Sequence, residues 1–303
     1  MPSRGHGDPK GPAASEILTA TLHEQIAAAR QRLCQAGIPS DEAALDARLL
    51  AQHLLGWGAA RLLTSEDEAG PDDFLARYDA VVARRAGREP LAYITGTKEF
   101  WSLAFEVSPD VLIPRPETEL LVEAVLERFP DKDASPLVMD VCTGSGCLAI
   151  AIASERPRAR VTATDISEPA LALARRNASR LGVGDRVQAV HADLMSGIIG
   201  TFDVIVSNPP YVPERDRPGL QPEVRDFEPT VALFGGPDGL DVIEALVRQS
   251  LARLSAGGYL MFEFGAGQEP SVRQLISAVA GLRMLEVKRD LAGIPRVALA
   301  RRG

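Results

Sequence analysis

A chain of 303 residues, 46% hydrophobic and 24% charged, is long enough to bury a large core and to hold one or two domains. A net charge of −8 argues against a broad nucleic-acid footprint, which shows itself as a basic patch or basic domain. With no apolar run of about 18 residues, no transmembrane helix is expected either.

The three cysteines, Cys34, Cys142 and Cys147, are odd in number and lack zinc-site spacing, and only four histidines are present. No metal site is expected, and the cysteine usage reads as that of a reducing compartment. Residues 1–14 are rich in glycine, proline and charge and contain no apolar segment of the signal-peptide kind, so they read as a disordered tail. No internal repeat is found.

Residues 15–95 read as a small α-helical domain. Ile17, Leu18, Leu22, Ile26, Ala29 and Leu33 recur at helical spacing. Gly37-Ile38-Pro39 is a stop, and Ser40 with Asp41 and Glu42 reads as a cap plus an acidic first turn. That second helix carries Ala44, Leu45, Ala47, Leu49, Leu50, Leu54 and Leu55 and stops at Gly56, and a further helix is expected from about Pro71 to Ala86. The domain is either a scaffold or a substrate-docking module.

Residues 96–114 change character. Phe100 to Val107 shows the aromatic, alternating pattern of a strand, expected to pair as a hairpin with Val111-Leu112-Ile113 and to link the helical domain to the remainder, 115–303. Pro116 suits the first turn of a helix running to about Phe129, and Glu117 and Glu119 complement its positive end. Capping does not account for Arg115, a cation held rigidly between Pro114 and Pro116.

From Leu137 onward, strands alternate with helices, the pattern of a parallel α/β sheet. The strand Leu137–Val141 runs into Cys142-Thr143-Gly144-Ser145-Gly146, and glycines at such a turn let backbone approach a ligand closely. The next strand, Val161–Thr164, ends in Asp165, close to the offset of about 20 residues at which an acid meets ribose hydroxyls in nucleotide-binding folds. A third strand, Val187–Val190, leads to His191-Ala192-Asp193. Neither the dinucleotide glycine spacing nor a P-loop is present, which points to a nucleoside without phosphates.

A fourth strand, Phe202–Ser207, delivers Asn208-Pro209-Pro210-Tyr211. Proline has no N–H to give, so the chain must leave the sheet here in a stiff, extended turn. Such a corner offers a fixed amide, a nearby free carbonyl and an aromatic ring, which suits gripping a planar NH2 group by both hydrogens. The alternative is a strand-end turn with a packed tyrosine. Val212–Pro237 is a long, proline-rich, charged connection, either a substrate lid or a plain exposed loop. Helices over about 240–254 and 270–280 and strands over 259–264, 282–289 and 296–300 complete the sheet, with a hairpin turn at 290–293.

Four strand ends bearing a glycine turn, two acids and Asn-Pro-Pro-Tyr, in that order, resemble a class I S-adenosylmethionine-dependent methyltransferase. The Asn208–Tyr211 corner narrows the resemblance to enzymes that methylate planar nitrogens. Further stretches match one family: Gly37-Ile38 with Glu42; Ala47-Arg48-Leu49-Leu50; Pro90 to Gly96; Glu99-Phe100-Trp101; Leu112 to Glu119; Phe227-Glu228-Pro229; and Gly239-Leu240. On these residues the chain resembles the peptide chain release factor glutamine methyltransferases of the HemK type over more than nine-tenths of its length.

The resemblance implies a Rossmann-like, mostly parallel sheet with an antiparallel last strand, preceded by the helical domain and hairpin. It implies S-adenosyl-L-methionine as cofactor, with Cys142, Thr143, Gly144, Ser145 and Gly146 around its methionine and ribose, Asp165 on the ribose hydroxyls, Asp193 and Leu194 at the adenine, and Asn208 beside them. It places Asn208, Pro209, Pro210 and Tyr211 around the target glutamine as the catalytic corner, and extends the substrate surface to Phe100, Arg115 and Glu117. It implies release factors as partners, a cytoplasmic location, and neither membrane nor direct nucleic-acid binding.

Two positions depart from the family pattern: many members have glycine where this chain has Cys142, and an aromatic residue is common at Leu194. The Asp-x-Cys-Thr-Gly-Ser-Gly run also occurs in sister enzymes that methylate a glutamine of a large-subunit ribosomal protein. An adenine methyltransferase shares the corner but sits poorly with the acidic chain. A non-catalytic adaptor would need a broken site, and every expected position is intact.

Overall fold

The computed structural model describes residues 20–303. The expected tail over 1–14, and Ile17 and Leu18, lie outside the described residues. The chain divides into two compact units, Met1–Gly87 and Arg88–Gly303.

The first unit is helical. Helix α1 (Leu22–Gln35) opens on a capping box, Thr21 Oγ1 accepting from the Glu24 amide at 3.2 Å and the Glu24 carboxylate accepting from the Thr21 amide at 3.0 Å. Its stripe of Leu22, Ile26, Ala29 and Leu33 is buried, as are Ala43, Ala47, Leu50 and Ala51 of α2 (Ser40–Leu55), and α2 ends at Gly56 in the left-handed conformation. Ser40 is not the cap expected of it. Pro39 occupies that position, and the Ser40 hydroxyl instead accepts from Arg30 at 2.8 Å. A short α3 (Ala59–Thr64) intervenes before α4 (Phe74–Ala86). Arg85 of α4 is buried and donates to Asp46 at 2.6 Å and Glu42 at 2.8 Å, so α2 supplies the countercharges that make its burial tolerable.

The second unit begins with α5 (Leu91–Thr95) and a tight hairpin, β1 (Thr97–Phe100) with β2 (Leu103–Glu106). The expected single strand over 100–107 is thus two strands, and Val111–Ile113 is not a strand. The alternating pattern concealed the turn because Trp101 and Ser102, with φ of 53° and 57°, replace the usual Asn-Gly. Three carboxylates hold that turn. Glu119 accepts from the Trp101 amide at 2.7 Å, Glu155 from its indole N–H at 2.8 Å, and Glu99 from the Ser102 amide at 2.8 Å.

A 3-10 turn (Pro116–Thr118) leads into α6 (Glu119–Arg128). Then follow β3 (Leu137–Val141), α7 (Cys147–Glu155), β4 (Arg160–Asp165), α8 (Glu168–Arg180), β5 (Val187–His191) and β6 (Phe202–Ser207). The long connection after β6 is not structureless: it folds into a 3-10 turn (Glu214–Gly219), α9 (Pro222–Phe227) and α10 (Thr230–Leu233). The chain ends with α11 (Asp241–Arg253), β7 (Leu254–Glu263), α12 (Glu269–Ser277), β8 (Leu282–Arg289) and β9 (Pro295–Arg302).

The sheet order is β5-β4-β3-β6-β7-β9-β8, with β9 antiparallel to both neighbours and the other pairs parallel. Alternation along each strand feeds two cores. Val138, Val204 and Val206 pack with Leu121, Val125 and the apolar residues of α7 on one face, while Met139, Ile205 and Phe262 pack with Ile243, Leu246 and Val272 on the other. The direction of winding reverses between β3 and β6, and in open α/β sheets ligands bind beyond the strand ends at that point.

Asn177 of α8, fully buried, ties the hairpin to this sheet. Its side chain accepts from the Glu106 amide at 2.8 Å and donates to the carbonyls of Glu106 and Ser145, both at 3.0 Å. Asn177→Ala strands these buried backbone groups and is expected to lower stability by about 3 kcal/mol. Thermal denaturation tests this, and a loss below about 1 kcal/mol would show that the three bonds are not needed.

Candidate active site

The turn after β3 is braced from beneath. Asp140 Oδ2 accepts from the Thr143 hydroxyl at 2.6 Å and the Ala149 amide at 3.1 Å, joining the start of the turn to the first turn of α7. Cys142 and Gly144 take φ of 60° and 53°, and no atom lies within 4 Å of where a Gly144 Cβ would sit. Gly146 serves a different purpose: a Cβ there would meet Ala174 at 3.2 Å, so the glycine permits close helix packing.

Asp165, at the end of β4, accepts from the Gly144 amide at 2.9 Å and from the Ser167 amide at 2.9 Å. One bond to each oxygen fixes the carboxylate's orientation and leaves lone pairs for a further donor. Burial raises its pKa, with the backbone donors pulling the other way.

Cys142 to Ser145, Asp165, Asp193, Leu194, Asn208 and Pro210 line one cleft of about 1030 Å³, part of it open to solvent. Sequence reasoning missed Thr118, Ile166, Ser167, Leu148 and Val231 on its walls. An apolar residue, Ile166, immediately after the strand-end acid was the available signal. Both cleft thiols are held protonated by burial, Cys147 being pushed up to about 12 and Cys142 also raised.

The corner after β6 forms the seam between this cleft and a smaller cavity lined by Leu112, Arg115, Asn208, Pro209, Tyr211 and Val224. The Asn208 Nδ2 donates to Thr118 Oγ1 at 3.0 Å, Thr118 donates to Glu263 at 2.7 Å, and the Tyr211 hydroxyl donates to the other Glu263 oxygen at 2.8 Å. Among the described residues nothing donates to Asn208 Oδ1. Behind the corner, a Cβ on Gly235 would stand 2.5 Å from the Pro210 carbonyl and one on Gly239 2.1 Å from that of Tyr211, so only glycine fits.

The remaining expected residues are placed differently. Phe100 is not on the substrate surface: it is 1% exposed and packs edge-on to Phe105 in the core, because β1 turns that side of the hairpin inward. Arg115 faces the smaller cavity but is engaged by Glu228 at 2.5 Å, and Glu228 also accepts from the Ile113 amide at 3.3 Å. Arg115 therefore clamps the segment before α6 to that after α9. Glu117 lines neither cavity, and its charge bears on Glu263. Among the described residues no cluster of three or more His, Cys, Asp or Glu is placed to hold a metal, and no helix is long and apolar enough to cross a membrane.

Fold and cleft together define a class I methyltransferase. A solved methyltransferase from Pyrococcus furiosus superposes with a TM-score of 0.50 over 75% of this chain and 99% of its own at 19% identity. The hMettl16 catalytic domain superposes with a TM-score of 0.53 over 75% and 81% at 14% identity. Residues 24–96 match the family model of the PrmC N-terminal domain, and residues 116–219 that of the methyltransferase small domain. The chain is 42% identical to the release factor glutamine methyltransferase of Cereibacter sphaeroides, over 92% of this chain and 97% of that protein. It is 43% identical to that of Koribacter versatilis over 93% and 99%. The chain belongs to the release factor glutamine methyltransferase family.

Asp140 sets a pH dependence. Burial raises its pKa from 3.8 to about 7. Between those values the folded chain keeps a proton that the unfolded chain has released, so this group's contribution to stability falls as pH rises through the window and is flat above it. Asp140→Asn is expected to gain stability relative to the unsubstituted protein at the upper end of the window compared with the lower. Melting temperatures at the two ends check this, and an equal gap at both counts against it.

Proposed function

We propose that the protein transfers a methyl group from S-adenosyl-L-methionine to the side-chain amide nitrogen of the glutamine in the Gly-Gly-Gln loop of peptide chain release factors. The carrying observation is the oriented Asn208 amide at the seam between two cavities. The larger cleft fits the cofactor. Asp165 is aimed and has lone pairs left for ribose hydroxyls, Gly144 leaves open space where a side chain would stand, and Ile166 and Leu194 give apolar surface. When bound, S-adenosyl-L-methionine supplies an electrophilic methyl group on a positively charged sulfur.

An amide nitrogen is a poor nucleophile because its lone pair is delocalised into the carbonyl, so the protein's task is position and electrostatics. Asn208 Oδ1 and the Pro209 carbonyl accept the two hydrogens of the glutamine amide. Two acceptors turn the nitrogen toward the cleft and stabilise the positive charge that develops on it. The Tyr211 ring packs along the amide plane. Its phenol is raised above its ordinary pKa by burial and by Glu263, so it serves as a fixed donor and not as a base. No strong general base is required, because the nitrogen sheds its proton readily once alkylated. Keeping Cys142 and Cys147 as neutral thiols removes two competing nucleophiles from the cleft wall.

In this reading the helical unit docks the protein substrate, and a cytoplasmic location beside translation goes with it. The test is methyl transfer from labelled cofactor to purified release factor, with a large-subunit ribosomal protein and duplex DNA in parallel and mass spectrometry locating the methyl. Methyl on the Gly-Gly-Gln glutamine supports the reading, and methyl only on ribosomal protein or DNA replaces it.

Asn208→Ala is expected to reduce kcat by about 10²- to 10³-fold while cofactor affinity largely survives. Equal loss of both would make Asn208 a scaffold residue. Asp165→Ala is expected to weaken cofactor binding by about 10- to 100-fold, measured by calorimetry.

A further inference from the structure

Glu263 touches neither cavity, is 1% exposed, and lies at the very end of β7, yet both its oxygens are engaged by hydroxyls of the site. Thr118 donates to one oxygen at 2.7 Å and Tyr211 to the other at 2.8 Å, so Glu263 dictates where both hydroxyl protons point. With its proton spent on Glu263 at 2.7 Å, Thr118 Oγ1 has only lone pairs to offer Asn208. Asn208 must then turn its NH2 toward Thr118, at 3.0 Å, and its oxygen away.

We propose that Glu263 is a positioning residue that, acting through the Thr118 and Tyr211 hydroxyls, fixes which end of the Asn208 amide faces the acceptor side chain. The inference rests on the functional reading above and adds its selectivity. A corner presenting two oxygens accepts a carboxamide and repels a carboxylate, so glutamine is taken and glutamate refused. An Asn208 amide turned the other way offers an NH2 to the glutamine NH2, donor against donor.

The surroundings suit this role. Gln268 donates to the Tyr211 carbonyl at 3.0 Å and accepts from the Gly265 amide at 2.8 Å, so Tyr211 reaches Glu263 from a fixed backbone. The other charged and titratable groups facing Glu263 are Glu117 on the turn before α6, Arg296 on β9 and Cys147 on α7. Arg296 is engaged by Asp290 at 2.8 Å. The two hydroxyls are thus the direct partners of the Glu263 carboxylate.

The experiment uses the full chain carrying Glu263→Gln, Thr118→Val or Thr118→Ser. It measures kcat on release factor, cofactor affinity by calorimetry, melting temperature, and inhibition by a release factor with glutamate in place of the target glutamine. Glu263→Gln and Thr118→Val are expected to lower kcat by about 10- to 100-fold, with cofactor affinity within about threefold for Glu263→Gln, which touches neither cavity. They should also narrow the glutamine-over-glutamate preference by about tenfold. Thr118→Ser, which restores the hydroxyl, should recover most of both.

Rates within about twofold of the unsubstituted protein overturn the inference, since each tenfold in rate is only about 1.4 kcal/mol of lost positioning. So does a lower rate with an unchanged preference, which would leave Glu263 a merely structural residue. If Glu263→Gln does not fold, the Thr118→Val and Thr118→Ser pair decides alone. Failure of the unsubstituted protein to methylate release factor at all sinks the functional reading instead, and is seen before any variant is compared.

Discussion

Two consecutive prolines at the end of β6 constrain the rest of the site. A strand that loses its N–H donors at successive positions cannot stay in the ladder, and the chain departs with its carbonyls unspent. The surrounding structure is built to hold that departure in one geometry. Val212 bridges to Phe234, Gly235 and Gly239 press their backbones against the Pro210 and Tyr211 carbonyls, and Gln268 fastens Tyr211 from the far side. A rigid corner matters here because a weak nucleophile is brought to reaction by placement.

What was legible in the sequence follows from how local the constraint is. Asn208 to Tyr211, the glycine turn and Asp165 were readable because missing N–H groups, permitted φ angles and strand-end position are properties of a few adjacent residues. Thr118 and Glu263 were not. Thr118 lies 90 positions from Asn208 and 145 from Glu263, and each alone looks like an ordinary helix-start threonine and an ordinary strand glutamate. Phe100 misled for the opposite reason: an aromatic in a matching stretch reads as a contact, whereas burial decided its place. The turn at Trp101 and Ser102 was hidden because carboxylates from distant helices, not turn residues, stabilise it. One departure from the family pattern gains a physical meaning as well: Cys142 carries positive φ, the conformation in which glycine is unstrained.

The site is unusual in how many carboxyl groups it withdraws from water. Asp140, Asp165, Glu228 and Glu263 all have pKa values raised chiefly by burial, and each accepts from at least one donor, Asp140 through one oxygen only. Three serve geometry: Asp140 braces the glycine turn, Glu228 fastens Arg115, and Glu263 holds two hydroxyls. Asp165 alone both orders the turn and faces the larger cleft.

The placement of β9 has a kinetic consequence. It is inserted between β7 and β8 and pairs Val297 with Glu263, and the Phe264 amide donates to the Arg296 carbonyl at 2.9 Å. The strand that positions Glu263 is therefore flanked on one side by a strand that follows it in the chain, with α12 and β8 in between. During translation the glycine turn, the corner and their helices emerge well before the segment that locks β7. Non-local pairing of this kind forms late, because the loop must close before the contacts stabilise it. Glu263 is thus framed on both sides only once β9 has been made and has paired with β7.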